Sequence, residues 1–132
     1  MIEVMIAVLV LFIVQTFLPP AIQYLGADGS FASRATVALG PRDKPPPVPA
    51  VAGRARRALD NMMEALIVFL PLALLAIMMG KDQGMALTGA VVFLGARLAY
   101  LPAYMSGIVG IRSLIWSVGA AGLVMMAVAL VG

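Results

Sequence analysis

Residues 54–80 read RARRALDNMMEALIVFLPLALLAIMMG and change character partway along. Arg54, Arg56, Arg57, Asp60, Asn61 and Glu64 fall in the first half, whereas Ala65 to Gly80 carries no charge. The uncharged part alone is short of the ~20 residues needed to cross a ~30 Å hydrocarbon core. A helix begun near Gly53 would extend it to about 25 residues, with one or two polar turns outside the lipid. The stretch therefore predicts a membrane-spanning helix that enters the bilayer polar end first.

Three more apolar runs flank it. Val4 to Leu25 is uncharged and rich in Val, Ile and Leu, with Pro19 and Pro20 near one end. Gln83 to Val109 is interrupted only by Arg97, and Ser113 to Val131 follows a turn at Gly107 to Gly110. Composition agrees: a chain of 132 residues that is 63% hydrophobic and 11% charged cannot hide that much apolar surface in one small water-soluble domain. The expected fold is an all-α membrane protein, a single four-helix domain over residues 1–132. Its spans are expected at 4–25, 54–79, 83–106 and 111–131, the last two as a hairpin. The N-terminal run has Glu3 in place of a basic n-region and no small-residue cleavage pattern, so it reads as a retained helix.

Between the first two spans, residues 26–53 hold Gly29, Gly40, Pro41, Pro45, Pro46, Pro47 and Pro49. So many prolines predict a non-helical surface loop. With four spans, this loop shares a side with the turn between spans three and four, and the Lys81-Asp82 turn shares the other side with both termini. Arg34, Arg42, Lys44, Arg54, Arg56, Arg57, Arg97 and Arg112 all fall at or near the loop side, which the positive-inside rule places in the cytoplasm. Arg54 and Arg56, at a helix end, read as headgroup contacts.

There is no Cys and no His. Disulfides, thiolate metal sites and a cysteine nucleophile are excluded, as is the commonest general base near neutral pH. No metal site is expected. The basic residues lack aromatic interleaving, so membrane lipid is the expected acidic partner and nucleic acid is not.

The remaining polar residues fall into stripes. Arg57, Asn61 and Glu64 are spaced i, i+4, i+7 on span two, and Arg97, Tyr100 and Tyr104 are spaced i, i+3, i+7 on span three. Arg112 and Ser113 open span four. The topology brings all three segments to one membrane depth. Arginine forks, tyrosine hydroxyls and an amide suit an anion, such as a carboxylate or a thiolate. A structural ion-pair network, with Glu64 neutralising Arg57 or Arg97, would produce the same pattern. Ser113 in a first turn also suits a helix cap, and an intramembrane Glu64 could carry protons in a small transporter.

The pieces Arg57-Ala58-x-x-Asn61-x-x-Glu64 with Phe69, and Arg97-x-x-Tyr100-x-x-x-Tyr104 leading to Arg112, stand in this order after a Gly40-Pro41-Arg42-Asp43 loop. In this the chain resembles the MAPEG family, the membrane-associated proteins in eicosanoid and glutathione metabolism, in its prokaryotic form. The resemblance implies a four-helix bundle assembled as a homotrimer in a bacterial inner membrane, with glutathione as co-substrate in clefts between subunits. By similarity, Arg57, Asn61, Glu64, Arg97, Tyr100 and Tyr104 would bind glutathione, with Arg42 and Ser113 as further ligands. Arg112 would stabilise the thiolate as the catalytic residue. The implied activity is a glutathione-dependent transferase or peroxidase acting on a lipophilic small-molecule substrate. A non-catalytic member that binds lipid or a protein partner in the same clefts is the alternative.

Overall fold

The computed structural model describes residues 1–132 except Arg42, Lys44 and Val109. The described residues form five helices in the order α1 (Ile2–Leu25), α2 (Phe31–Leu39), α3 (Ala50–Met78), α4 (Gly84–Ser106) and α5 (Ile111–Val131). Of these, α1, α3, α4 and α5 are long and apolar enough to cross a membrane.

The expectation that residues 26–53 contain no helix is wrong for Phe31–Leu39. The prolines are confined to positions 41–49, and the nine residues before them contain none. Ser30 caps the start, accepting from the Ser33 backbone N–H at 3.3 Å. Further on, Pro49 takes the N-cap position of α3, so this helix begins a few residues ahead of the position expected for it.

Packing in the bundle is uneven. Helix α3 buries Ala58, Met62, Ala65, Leu66, Phe69, Ala73 and Ala76, a stripe at i+3/i+4 spacing. Phe69 stacks on Phe93 of α4 with ring centroids 4.6 Å apart and planes 9° from parallel. Against α5, α4 comes closer still. A Cβ at Gly122 would lie 2.6 Å from the Gly89 carbonyl oxygen and 2.9 Å from the Phe93 nitrogen, and one at Gly89 would lie 2.5 Å from the Gly122 oxygen. In lipid, where helix association is not driven by the hydrophobic effect, such small-residue contacts supply the packing energy.

Both ends of the hairpin are tied. At one, Lys81 Nζ donates to the Leu130 carbonyl at 3.1 Å, satisfying an orphan group at the end of α5. At the other, Gly107 caps α4 with φ 75°, and Arg54 Nη1 donates to the Met105 carbonyl at 3.1 Å. The positive φ at Gly107 favours glycine, and a Cβ there would also displace the Arg54 guanidinium, whose Nη1 would lie 2.7 Å away. Arg54 thus closes the end of α4, where a headgroup contact was expected.

Replacing Gly122 by Ala is expected to destabilise the protein by about 1–3 kcal/mol, because the methyl group meets backbone that cannot yield. Gly95→Ala, whose methyl group meets nothing within 4 Å, is expected to be neutral or stabilising. Thermal unfolding in detergent micelles distinguishes the two; equal midpoints would refute the close α4–α5 contact.

Candidate functional site

Where α3 begins, α4 ends and α5 begins, their polar residues surround a cleft of about 630 Å³. Of the residues singled out in the sequence, Arg57, Asn61 and Glu64 reach it from α3, Tyr100 and Tyr104 from α4, and Arg112 and Ser113 from α5. Arg42 lies outside the described residues. The wall also includes Asp60, Trp116 and Ser117, which were not anticipated. A signal for them exists in the sequence: Trp116 and Ser117 follow Ser113 at i+3 and i+4, and Asp60 follows Arg57 at i+3.

Tyr104 is the meeting point of two cations. Arg57 Nε donates to its hydroxyl at 3.3 Å, and the Arg57 guanidinium carbon lies 5.9 Å from its ring centroid. The Arg112 guanidinium carbon lies 5.0 Å from the same centroid. The rings of Tyr100 and Tyr104 are 5.5 Å apart and tilted by 56°. Among the described residues the one ion pair joins Arg56 to Asp60 at 3.8 Å, on exposed side chains. Glu64 therefore forms no ion pair with Arg57 or Arg97, and the structural ion-pair network is not the arrangement the chain adopts. Two guanidinium groups lie close to one tyrosine ring, and among the described residues no carboxylate pairs with either.

Arg97 is placed differently. It is 3% exposed, does not line the main cleft, and instead borders an adjoining pocket of about 190 Å³ with Asn61, Glu64, Ala65, Val68, Trp116, Ala120 and Leu123. Its Nη1 donates to Asn61 Oδ1 at 2.6 Å. Its guanidinium carbon lies 5.0 Å from the Phe93 ring centroid and 5.5 Å from that of Tyr100. Arg97 thus stands behind Asn61 and fixes which way the amide points. Ser113 does not cap α5, whose N-cap is Gly110; its carbonyl accepts from Ser117 Oγ at 3.0 Å.

These contacts differ in weight. The Arg97–Asn61 bond is short, charge-assisted and partly buried, so Asn61→Ala is expected to destabilise by about 1.5–3 kcal/mol. The longer, exposed Arg57–Tyr104 bond predicts about 0.5 kcal/mol or less for Tyr104→Phe, which keeps the ring. Chemical unfolding of both variants in mixed micelles checks the ranking, and a larger loss for Tyr104→Phe would reverse the assignment of roles.

Comparison with curated proteins and with solved structures gives no match. Comparison with protein-family models matches the MAPEG family over residues 4–132, essentially the whole chain and every residue of the cleft. A four-span apolar bundle, a polar cleft at one end and this match agree: the chain belongs to the MAPEG family of membrane proteins related to glutathione and eicosanoid metabolism.

Proposed function

We propose that the protein is a glutathione-dependent membrane transferase or peroxidase acting on lipophilic electrophiles, with glutathione bound as co-substrate in the cleft at the start of α3. The observation that carries this reading is the convergence of Arg57 and Arg112 on Tyr104 without a carboxylate partner among the described residues. Two uncompensated guanidinium groups facing one cleft call for an anionic ligand.

The residues present fit that tripeptide. It carries two carboxylates and one ammonium, and the cleft offers Arg57 and Arg112 for anions and Glu64 for a cation, with Asp60 already engaged by Arg56. The volume of about 630 Å³ falls within the ~300–1,000 Å³ typical of small-molecule sites. Glutathione supplies the nucleophilic sulfur, which a chain without cysteine cannot. Arg57, Asn61 and Glu64 hold and orient the ligand, Asn61 being fixed by Arg97. Arg112 holds the sulfur as thiolate below the free-thiol pKa of about 8.5, its proton passing to water. The electrophilic carbon gains a bond to sulfur as its leaving-group or ring bond opens. Tyr104 keeps the Arg112 fork in place, and no residue of the chain forms a covalent intermediate.

Assembly as a homotrimer, a bacterial inner membrane, outward termini and a cytoplasmic loop at 26–53 belong to the same reading. Support for the assembly comes from α1 and α5, whose membrane windows are each 17% buried and leave broad apolar faces for lipid or sister subunits. Support for the orientation comes from the arginines concentrated at the cleft end.

Calorimetric titration of glutathione into the purified protein is expected to show saturable binding, weakened about tenfold to a hundredfold by Arg57→Ala or Glu64→Gln. Arg112→Ala is expected to lower the conjugation rate of a generic electrophile roughly 10²-fold. The wild-type rate should level off below the free-thiol pKa, and the variant rate should keep rising with pH through about 8.5. An unchanged rate and pH profile would remove Arg112 from the mechanism. A folded wild-type protein that binds no glutathione would instead support the non-catalytic lipid- or partner-binding member.

A further inference from the structure

Helix α2 is built inside out for a loop on a water-soluble surface. It has no buried residue. At ~100° per residue, Phe31, Ala32, Ala35, Ala38 and Leu39 share one arc, with Ser33, Arg34 and Val37 on the other side. The second group is the one turned toward the protein: with Tyr24, Asp28 and Pro46 it lines a small cavity of about 160 Å³ beside the end of α1. Of the apolar arc, Phe31 (71%), Ala32 and Leu39 (88%) are exposed, whereas Ala35 and Ala38 are half-buried.

Two tethers fix the height of this helix. Arg34 Nη1 donates to the carbonyl of Leu25, the last residue of α1. Gln23 Nε2 donates to the Pro46 carbonyl at 2.8 Å, holding the far side of the loop to the same turn of α1. The exposed Phe31 and Leu39 of α2 therefore lie near the end of α1, where Leu25 is also exposed. The local charge also suits a bilayer: from Gly26 to Arg57 the sequence has Arg34, Arg42, Lys44, Arg54, Arg56 and Arg57 against Asp28 and Asp43. Basic residues beside an apolar helical arc at a span's end match the headgroup region of a leaflet containing anionic phospholipid.

We propose that α2 is an interfacial helix whose Phe31–Leu39 arc beds into the acyl–headgroup boundary of the leaflet in which α1 ends. It anchors the loop between α1 and α3 to the bilayer, and this role is independent of whether the cleft binds glutathione.

The natural absence of cysteine makes the test direct. Phe31→Cys, Leu39→Cys and Thr36→Cys are each labelled with an environment-sensitive fluorophore and reconstituted into vesicles of phosphatidylcholine and phosphatidylglycerol, using only variants that keep the wild-type unfolding midpoint. Probes at 31 and 39 are expected to be blue-shifted and quenched several-fold more by lipids carrying a nitroxide near the headgroup than by aqueous iodide. The probe at 36, on the polar edge of the helix, is expected to show the reverse order. Iodide quenching at 31 and 39 equal to that at 36 would place the arc in water and overturn the proposal. Shielding from both quenchers, with excimer formation by pyrene at 31, would assign the arc to a second copy of the chain and overturn it as well.

Discussion

Backbone contact between α4 and α5 at Gly89 and Gly122 sets where the polar groups of this chain can meet. Only residues 107–110 separate the two helices in sequence, so their closeness fixes the register of the start of α5 against the end of α4. That register puts Arg112 over Tyr104 and brings Ser113 to the same cleft as Tyr100. Helix α3 is then added through the Phe69–Phe93 stack at mid-height and the Arg97–Asn61 bond nearer the cleft. Larger side chains at the two glycines would force the hairpin apart and move Arg112 away from α3 and α4 together.

The arginines of this end serve opposite purposes, and magnitudes separate them. A guanidinium within a membrane helix costs about 2.5–3.5 kcal/mol on insertion scales. Arg97 offsets this with one charge-assisted hydrogen bond worth about 1.5–3 kcal/mol and two aromatic faces worth about 0.5–2 kcal/mol each. The residue is 3% exposed, and its Nε has no hydrogen-bond partner among the described residues. Arg57 and Arg112 are exposed and line the cleft. Arg54 is a third kind, donating to the Met105 carbonyl at the end of α4.

The spans and both polar stripes were legible because each is a property of one helix: an uncharged run of membrane length, or residues repeating at helical spacing. Their meeting in one cleft was also legible, since four spans allow only one arrangement of ends. Arg97 was legible only as a member of a stripe. Its spacing puts it on the stripe of Tyr100 and Tyr104, but its depth places it behind Asn61, and depth is set by how closely three helices approach. The Gly89–Gly122 contact was hidden because the two residues lie on different helices and form no motif within either. Helix α2 was missed because the prolines of 41–49 coloured the reading of the whole loop, although Ser30 gave a cap signal directly ahead of a proline-free stretch.

Polarity falls off along α3 in one helical face. Arg57, Asn61 and Glu64 line the main cleft, and the next position on that stripe is Val68, which borders the adjoining pocket with Ala65, Ala120 and Leu123. Asn61, Glu64 and Trp116 belong to both walls, so the polar cleft and the more apolar pocket adjoin at their level. A carboxylate there is tolerable because it faces a cavity open to polar neighbours instead of acyl chains. On the proposed reading this boundary is the useful feature: a hydrophilic co-substrate held by arginines and a molecule soluble only in the bilayer can approach one another at the depth of Glu64 and Trp116 without either leaving its own solvent. A chain with neither cysteine nor histidine can support such a reaction, because position and charge are what it has to contribute.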